Sequence, residues 1–159
     1  MPKRRTDDQA LLDSLSGNLV SAIAMFPKRL VRVDELVHTF HMPLSHIQVL
    51  ALVAKKDLSI GQLSVLLGVA KPNITPLVDA LTARGLVERV RDDTDRRIVM
   101  VHILPEGCAC IGEIQQQIQD QLKQWPEQIT HTEMKHLNSA LATMTQVMSM
   151  MEDAAVKDA

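Results

Sequence analysis

The sequence predicts a mainly α-helical fold that carries one small β-hairpin, and three observations predict it. A Ser or Thr followed three residues later by Glu or Gln can satisfy free N–H groups of a first helical turn, and this pattern occurs at Thr6/Gln9, Ser45/Gln48, Ser59/Gln62 and Thr130/Glu133. Each pair precedes a stretch whose apolar residues recur at helical spacing. In contrast, residues 98–103 form a run rich in β-branched side chains behind a polar segment, which reads as a strand leaving a turn.

The first stretch, about residues 7–41, places Leu12, Leu15, Leu19, Ile23 and Phe26 on one stripe, continued by Leu30, Val33, Leu36 and Val37. Pro27 has no N–H to give, so a kink or break is expected there. A second helix carries Ile47, Val49, Leu50 and Val53, and a third carries Ile60, Leu63, Leu66 and Leu67 up to Gly68, which suits a left-handed stop. In a fourth, residues 71–84, Ile74, Leu77, Val78 and Leu81 follow the spacing of a buried face, and Gly85 ends it. Leu86, Val87 and Val90 then lead into the polar tip 91–97 and the run 98–103, forming the hairpin. Pro105 fits the first position of a Gln-rich helix reaching about 124. Pro126 separates it from a last helix, 130 to about 153, whose stripe includes Met134, Leu137, Leu141, Met144, Val147, Met148 and Met151.

Composition narrows the function. With 46% hydrophobic and 23% charged residues, the 159-residue chain suits one compact unit with a real core. The net charge of −2 lacks the basic excess typical of nucleic-acid binders, and 2% aromatics leave no platforms on which to stack unpaired bases. No apolar run approaches the roughly 18 residues of a membrane span, so no membrane partner and a cytoplasmic location are expected. The six glycines are too dispersed for a phosphate-cradling loop, and neither G-x-S-x-G nor H-E-x-x-H occurs, which argues against a conventional enzyme and a cofactor.

Two helices joined by a Gly-containing turn and followed at once by a hairpin have the order of a winged helix-turn-helix, whose second helix enters the major groove of DNA. Residues 44–107 resemble the MarR family of bacterial transcriptional regulators. The matching strings begin with Leu44-Ser-His-Ile-Gln-Val-Leu50, Leu63-Ser-Val-Leu-Leu-Gly-Val69 and Ile74-Thr-Pro-Leu-Val-Asp-Ala-Leu81. Arg84-Gly-Leu-Val-Glu-Arg89, Asp95-Arg-Arg97 and Pro105-Glu-Gly107 complete the series. The resemblance implies dimerisation helices in 1–43, a winged DNA-binding unit in 44–104 and further dimerisation helices in 105–159, intertwined as one structure. It implies a homodimer on a pseudo-palindromic double-stranded operator with half-sites about 34 Å apart. Ligand-responsive repression is the expected activity, with a small phenolic or other organic effector. A winged-helix protein-interaction module without DNA binding, or a metal- or thiol-sensing regulator, is the alternative.

On this resemblance the helix 71–84 presents Lys71, Pro72, Asn73, Thr75 and Pro76 to DNA. Asn73 can pair with an adenine edge or serve as a helix cap. Pro76 stands where many relatives carry a basic residue, and a late or distorted helix start, with Asn73 as its cap, is expected to accommodate it. In the family's Asp-x-Arg element Asp95 orients Arg97 into the minor groove, while Arg96, Arg91, Arg89 and Arg84 are phosphate candidates. The alternative for the tip is a solvated turn with internal ion pairs involving Asp92 and Asp93.

An effector crevice is expected between the winged unit and the dimer helices, lined by Phe26, Leu30, Val33, His41 and Met42. No histidine pair has the i, i+4 spacing of a preformed metal site, and Cys108 and Cys110 point to opposite sides of their helix, so no metal is expected and the thiols read as small packing groups. Cys108 near a helix start is the alternative sensor. Charge is divided along the chain: residues 1–32 hold six basic and three acidic groups, and residues 106–159 hold three and eight. One end of the molecule is therefore expected to face DNA and the other to repel it.

Overall fold

The computed structural model describes residues 3–25, 31–92, 94–125 and 129–157. In chain order the elements are α1 (Lys3–Met25), α2 (Val33–Phe40), α3 (Leu44–Val53), β1 (Leu58–Ser59), α4 (Ile60–Leu67) and α5 (Lys71–Ala83). They continue with β2 (Val87–Arg91), β3 (Val99–Ile103), α6 (Pro105–Lys123) and α7 (His131–Lys157). The fold is thus mainly α with a small antiparallel sheet. Because α1 ends at Met25 and α2 begins at Val33, the first apolar stretch is two helices; Pro27, Phe26 and Leu30 lie outside the described residues.

Two of the four capping pairs operate. Ser59 Oγ accepts from the Gln62 N–H at 3.1 Å while Gln62 Oε1 accepts from the Ser59 N–H at 2.8 Å. Thr130 and Glu133 make the same reciprocal pair at 3.2 and 2.7 Å. The other two do not start helices. Thr6 falls inside α1, which is already helical from Lys3, and α3 begins one residue before Ser45, with Pro43 as its N-cap. Pro43 fixes the extended entry itself, so the Ser45 hydroxyl is left beside the His46 ring.

The hairpin joins β2 and β3 in antiparallel register, with Val87 opposite Ile103 and Arg91 opposite Val99. A third strand, absent from the sequence expectation, lies on the other side of β3, where Leu58 pairs with Val101. Two residues cannot show an alternation, so only the packing of buried Leu58 beside buried Val101 reveals it.

One core joins the helix-turn-helix to the sheet. Val49 and Leu50 of α3, Leu63 of α4, Ile74, Val78 and Leu81 of α5, Val87 and Val101 are each fully buried. At roughly 1.5 to 3 kcal/mol per buried aliphatic side chain, this interior fixes how α5 lies against the wing. Gly107 brings α6 onto the sheet: a Cβ there would stand 2.2 Å from the Leu86 carbonyl oxygen, a distance no side chain tolerates.

The glutamines of α6 tie it to α2. The Arg32 N–H donates to Gln121 Oε1 at 3.0 Å, Gln121 Nε2 donates to the Glu35 carboxylate at 3.3 Å, and Gln117 Nε2 donates to Thr39 Oγ1 at 3.1 Å. Gln121 is buried and fully partnered, which is how a polar group is tolerated there. By contrast, the apolar stripes of α1 and α7 remain uncovered. Leu12, Leu15, Leu19 and Ile23 of α1, with Met144, Val147, Met148 and Met151 of α7, are 43% to 75% exposed. Among the described residues no single helix is long and apolar enough to cross a membrane.

Candidate nucleic-acid interface

Helix α5 starts at Lys71, with Ala70 as N-cap in an extended conformation. The Asn73 N–H donates to the Ala70 carbonyl at 2.8 Å, so Asn73 sits in the first turn and is not the cap. The expected late start is therefore not adopted, and Pro76 stands inside the helix. Pro72, in the first turn, costs nothing because its missing N–H is one that no helix start can pair. Pro76 is different: it removes the N–H that would meet the Pro72 carbonyl one turn back. Burial of Ile74, Val78 and Leu81 decides the matter, since a later start would discard the packing of the first of them.

With that stripe inward, Lys71, Pro72, Asn73, Thr75 and Pro76 are all exposed on one side of the molecule. The side chain of Lys71 crosses Gly61, where a Cβ would meet its Cε at 3.3 Å, and so lies beside the start of α4. Ser59, Gln62, Lys71, Thr75, Arg89 and Arg97 contribute to one groove of about 830 Å³ between α4, α5 and the wing.

At the wing tip the side chain of Asp92 accepts from the Thr94 N–H at 2.9 Å, the Asp95 N–H at 3.0 Å and the Thr94 hydroxyl. These bonds, the hydroxyl first, hold its carboxyl below the usual carboxylate range. They turn the chain so that Asp95 faces Arg97. One Asp95 oxygen accepts from Arg97 Nε at 3.0 Å and from the Arg97 N–H at 3.0 Å, and the other accepts from the guanidinium at 3.1 Å. The Arg97 side chain first, then its N–H, likewise lowers the Asp95 carboxyl. Arg97 nonetheless keeps 91% of its side chain in solvent, so the acid fixes its direction without covering it. Arg91 and Arg96 are exposed, and Asp93 lies outside the described residues.

Two other arginines are turned inward to the protein. Arg84 donates to the carbonyls of Phe40 at 3.1 Å and His41 at 3.2 Å, closing the end of α2, where His41 takes the left-handed conformation with φ 47°. Arg89 reaches from β2 to α5, donating to the Thr75 carbonyl at 3.0 Å and pairing with the Asp79 carboxylate at 2.8 Å. Sequence reasoning placed both among phosphate candidates. Their partners lie 43 and 10 or more positions away, and no local pattern announces them.

Of the residues expected to line an effector crevice, three are described. Met42 is a core residue at 1% exposure, His41 is exposed at the α2 turn, Val33 is half-buried, and Phe26 and Leu30 lie outside the described residues. The thiols separate in the structure: Cys108 is exposed, while Cys110 is half-buried and its pKa is raised, chiefly by burial. Among the histidines, His102 Nδ1 lies 3.1 Å from the Asp57 carboxylate. Burial first, then nearby Arg84, pushes the pKa of His46 down.

Comparison with known proteins agrees with this geometry. Residues 41–98 match the model of the MarR family. An uncharacterised HTH-type transcriptional regulator of Bacillus subtilis, YsmB, is 38% identical over 85 residues, a match spanning 54% of this chain and 58% of that protein's length. A MarR family protein from Bacillus stearothermophilus superimposes with a TM-score of 0.61 at 25% identity, covering 94% of this chain and 98% of its own. A mutant of MarR from E. coli in complex with operator DNA superimposes at 0.58 with 23% identity, covering 80% of this chain and 91% of its own. The winged helix-turn-helix and the Asp95–Arg97 wing tip lie within the residues that match the MarR family model, and the fold around them is that of solved MarR-family structures.

Proposed function

We propose that the protein is a homodimeric, sequence-specific regulator of transcription in the cytoplasm. It binds double-stranded DNA at a pseudo-palindromic operator and acts as a ligand-responsive repressor. The observation that carries this proposal is Arg97, held by both oxygens of Asp95 yet 91% exposed beside the polar side of α5. An arginine presented in this way suits a narrow minor groove, where negative potential is concentrated. Asn73 and Thr75 read base edges in the major groove; Lys71, Arg91 and Arg96 contact phosphates, and Pro72 and Pro76 add apolar contact. Dimerisation covers the exposed stripes of α1 and α7, which together are too large an apolar surface for a lone chain.

The effector is a small organic anion, a phenolic acid among the candidates, and no resident cofactor is needed. Its place is the groove of about 830 Å³ beside Lys71 and Arg97, where an anion would take these cations from DNA. Selecting duplexes from a random pool and titrating the bound one against salt tests the proposal. Affinity that falls steeply with salt is expected, by counterion release from several phosphates. A folded protein that selects no sequence, or binds without salt dependence, would overturn it.

A further inference from the structure

Among the described arginines around α5, Arg89 is the one whose side chain holds the helix itself. Its terminal nitrogen donates to the Thr75 carbonyl at 3.0 Å and forms an ion pair with the Asp79 carboxylate at 2.8 Å. Thr75 and Asp79 are one helical turn apart, and Pro76 stands between them. The bond Pro76 cannot donate is the one to the Pro72 carbonyl, so α5 is weakened in the turn that leads into Thr75. The contacts from Arg89 hold the helix directly after that turn, and they come from β2, the first strand of the wing. Asp79 also offsets the charge of Arg89 toward DNA, which sets it apart from exposed Arg91 and Arg96.

The geometry points to Arg89 as a positioning residue for sequence reading. It locks the proline-interrupted recognition helix to the wing, so that Asn73 and Thr75 on one side and Arg97 on the other meet DNA as a single rigid surface. The inference rests on the DNA-binding function proposed above. It has an unusual electrostatic sign. Asp79 is an acid on the DNA side, and removing it should tighten binding to every duplex if charge alone mattered. If Asp79 serves as the anchor of Arg89, removing it should cost selectivity.

The test uses the full chain with a duplex selected by the unaltered protein and a scrambled duplex of equal composition. Asp79→Asn and Arg89→Ala are each expected to reduce the preference for the selected duplex about tenfold, the scale of one charge-assisted hydrogen bond. The double variant should lose no more than Arg89→Ala alone, because that change already removes the contact with Asp79. The salt slope should stay near that of the unaltered protein in Asp79→Asn. Hydrogen exchange on the DNA-free protein should show faster amide exchange in residues 71–80 for both variants and no change for Arg91→Ala.

A uniform loss on both duplexes with a slope lower by about one in Arg89→Ala, together with tighter binding of Asp79→Asn, would make Arg89 a phosphate contact and overturn the inference. So would unchanged exchange in residues 71–80. If the unaltered protein selects no duplex, the DNA-binding function fails and the positioning role falls with it, whatever the exchange shows. Because Asp79→Asn preserves shape at an exposed site, it remains informative even if Arg89→Ala does not fold.

Discussion

Arg97 and Arg89 carry the same charge and sit on the same hairpin, yet their surroundings give them different work. Arg97 is gripped at its base by Asp95 and left 91% in solvent, whereas Arg89 spends its hydrogen bonds on α5. Arg97→Ala is expected to weaken DNA binding by about 1 to 2 kcal/mol on all sequences while leaving dimerisation unchanged, read by titration and light scattering. Asn73→Ala should relax base preference at one position per half-site, read by repeating the duplex selection.

Acid acts through two kinds of group. The lowered carboxyls of Asp95 and Asp92 order the wing above their ordinary range, and that order is lost as pH falls through their lower folded values. The lowered pKa of His46 works in the same direction: the unfolded chain takes its proton first, so stability declines as pH drops below the ordinary value of 6.5. His46→Gln should therefore flatten the fall in thermal midpoint between pH 6.5 and the acid limit of the wing.

Among the elements, α5 shows how packing overrules local preference. A proline inside a helix costs about 3 kcal/mol, yet α5 runs unbroken from Lys71, with Ile74 of its first turns fully buried beside Val78 and Leu81. Pro76→Ala is expected to raise stability by roughly 1 to 3 kcal/mol, measured by denaturant unfolding, and to lessen the dependence of α5 on Arg89. The junction of α6 with the sheet has the opposite sensitivity. Gly107→Ala places a Cβ against the Leu86 carbonyl and should cost about 2 kcal/mol or more, because both partners are main chain and neither can rotate aside.

At the scale of the whole molecule, one core joins the winged unit to α2 and α6 through Leu36, Met42 and Ile114, while α1 and α7 present apolar stripes to solvent. Leu15→Asp with Leu19→Asp on α1 should convert a dimer to monomers in light scattering and abolish tight operator binding while preserving the winged core. The mechanism is loss of two-fold pairing of half-sites. The charge is divided along the chain: residues 106–159 hold three basic and eight acidic groups, against six and five in residues 71–105, which include α5 and the wing. With so small a basic excess, binding depends on a few arginines in fixed positions more than on the overall field.

What the sequence determined by itself was whatever is encoded over a few neighbouring residues. The helices were legible from apolar spacing, the left-handed stop at Gly68 and Gly85 from their residue type, and the hairpin from its β-branched run. The Asp95–Arg97 pair was legible through the resemblance to the Asp-x-Arg element, and its two residues meet within the turn. Only the tertiary structure decided which capping pairs operate, where α5 begins, and that Met42 belongs to the core. It also decided that Arg84 and Arg89 bind carbonyls of distant segments. The physical reason is common to all of these. Each is settled by long-range burial, where several buried side chains together outweigh a cap, a proline or a charge, and chain neighbours carry no record of that sum.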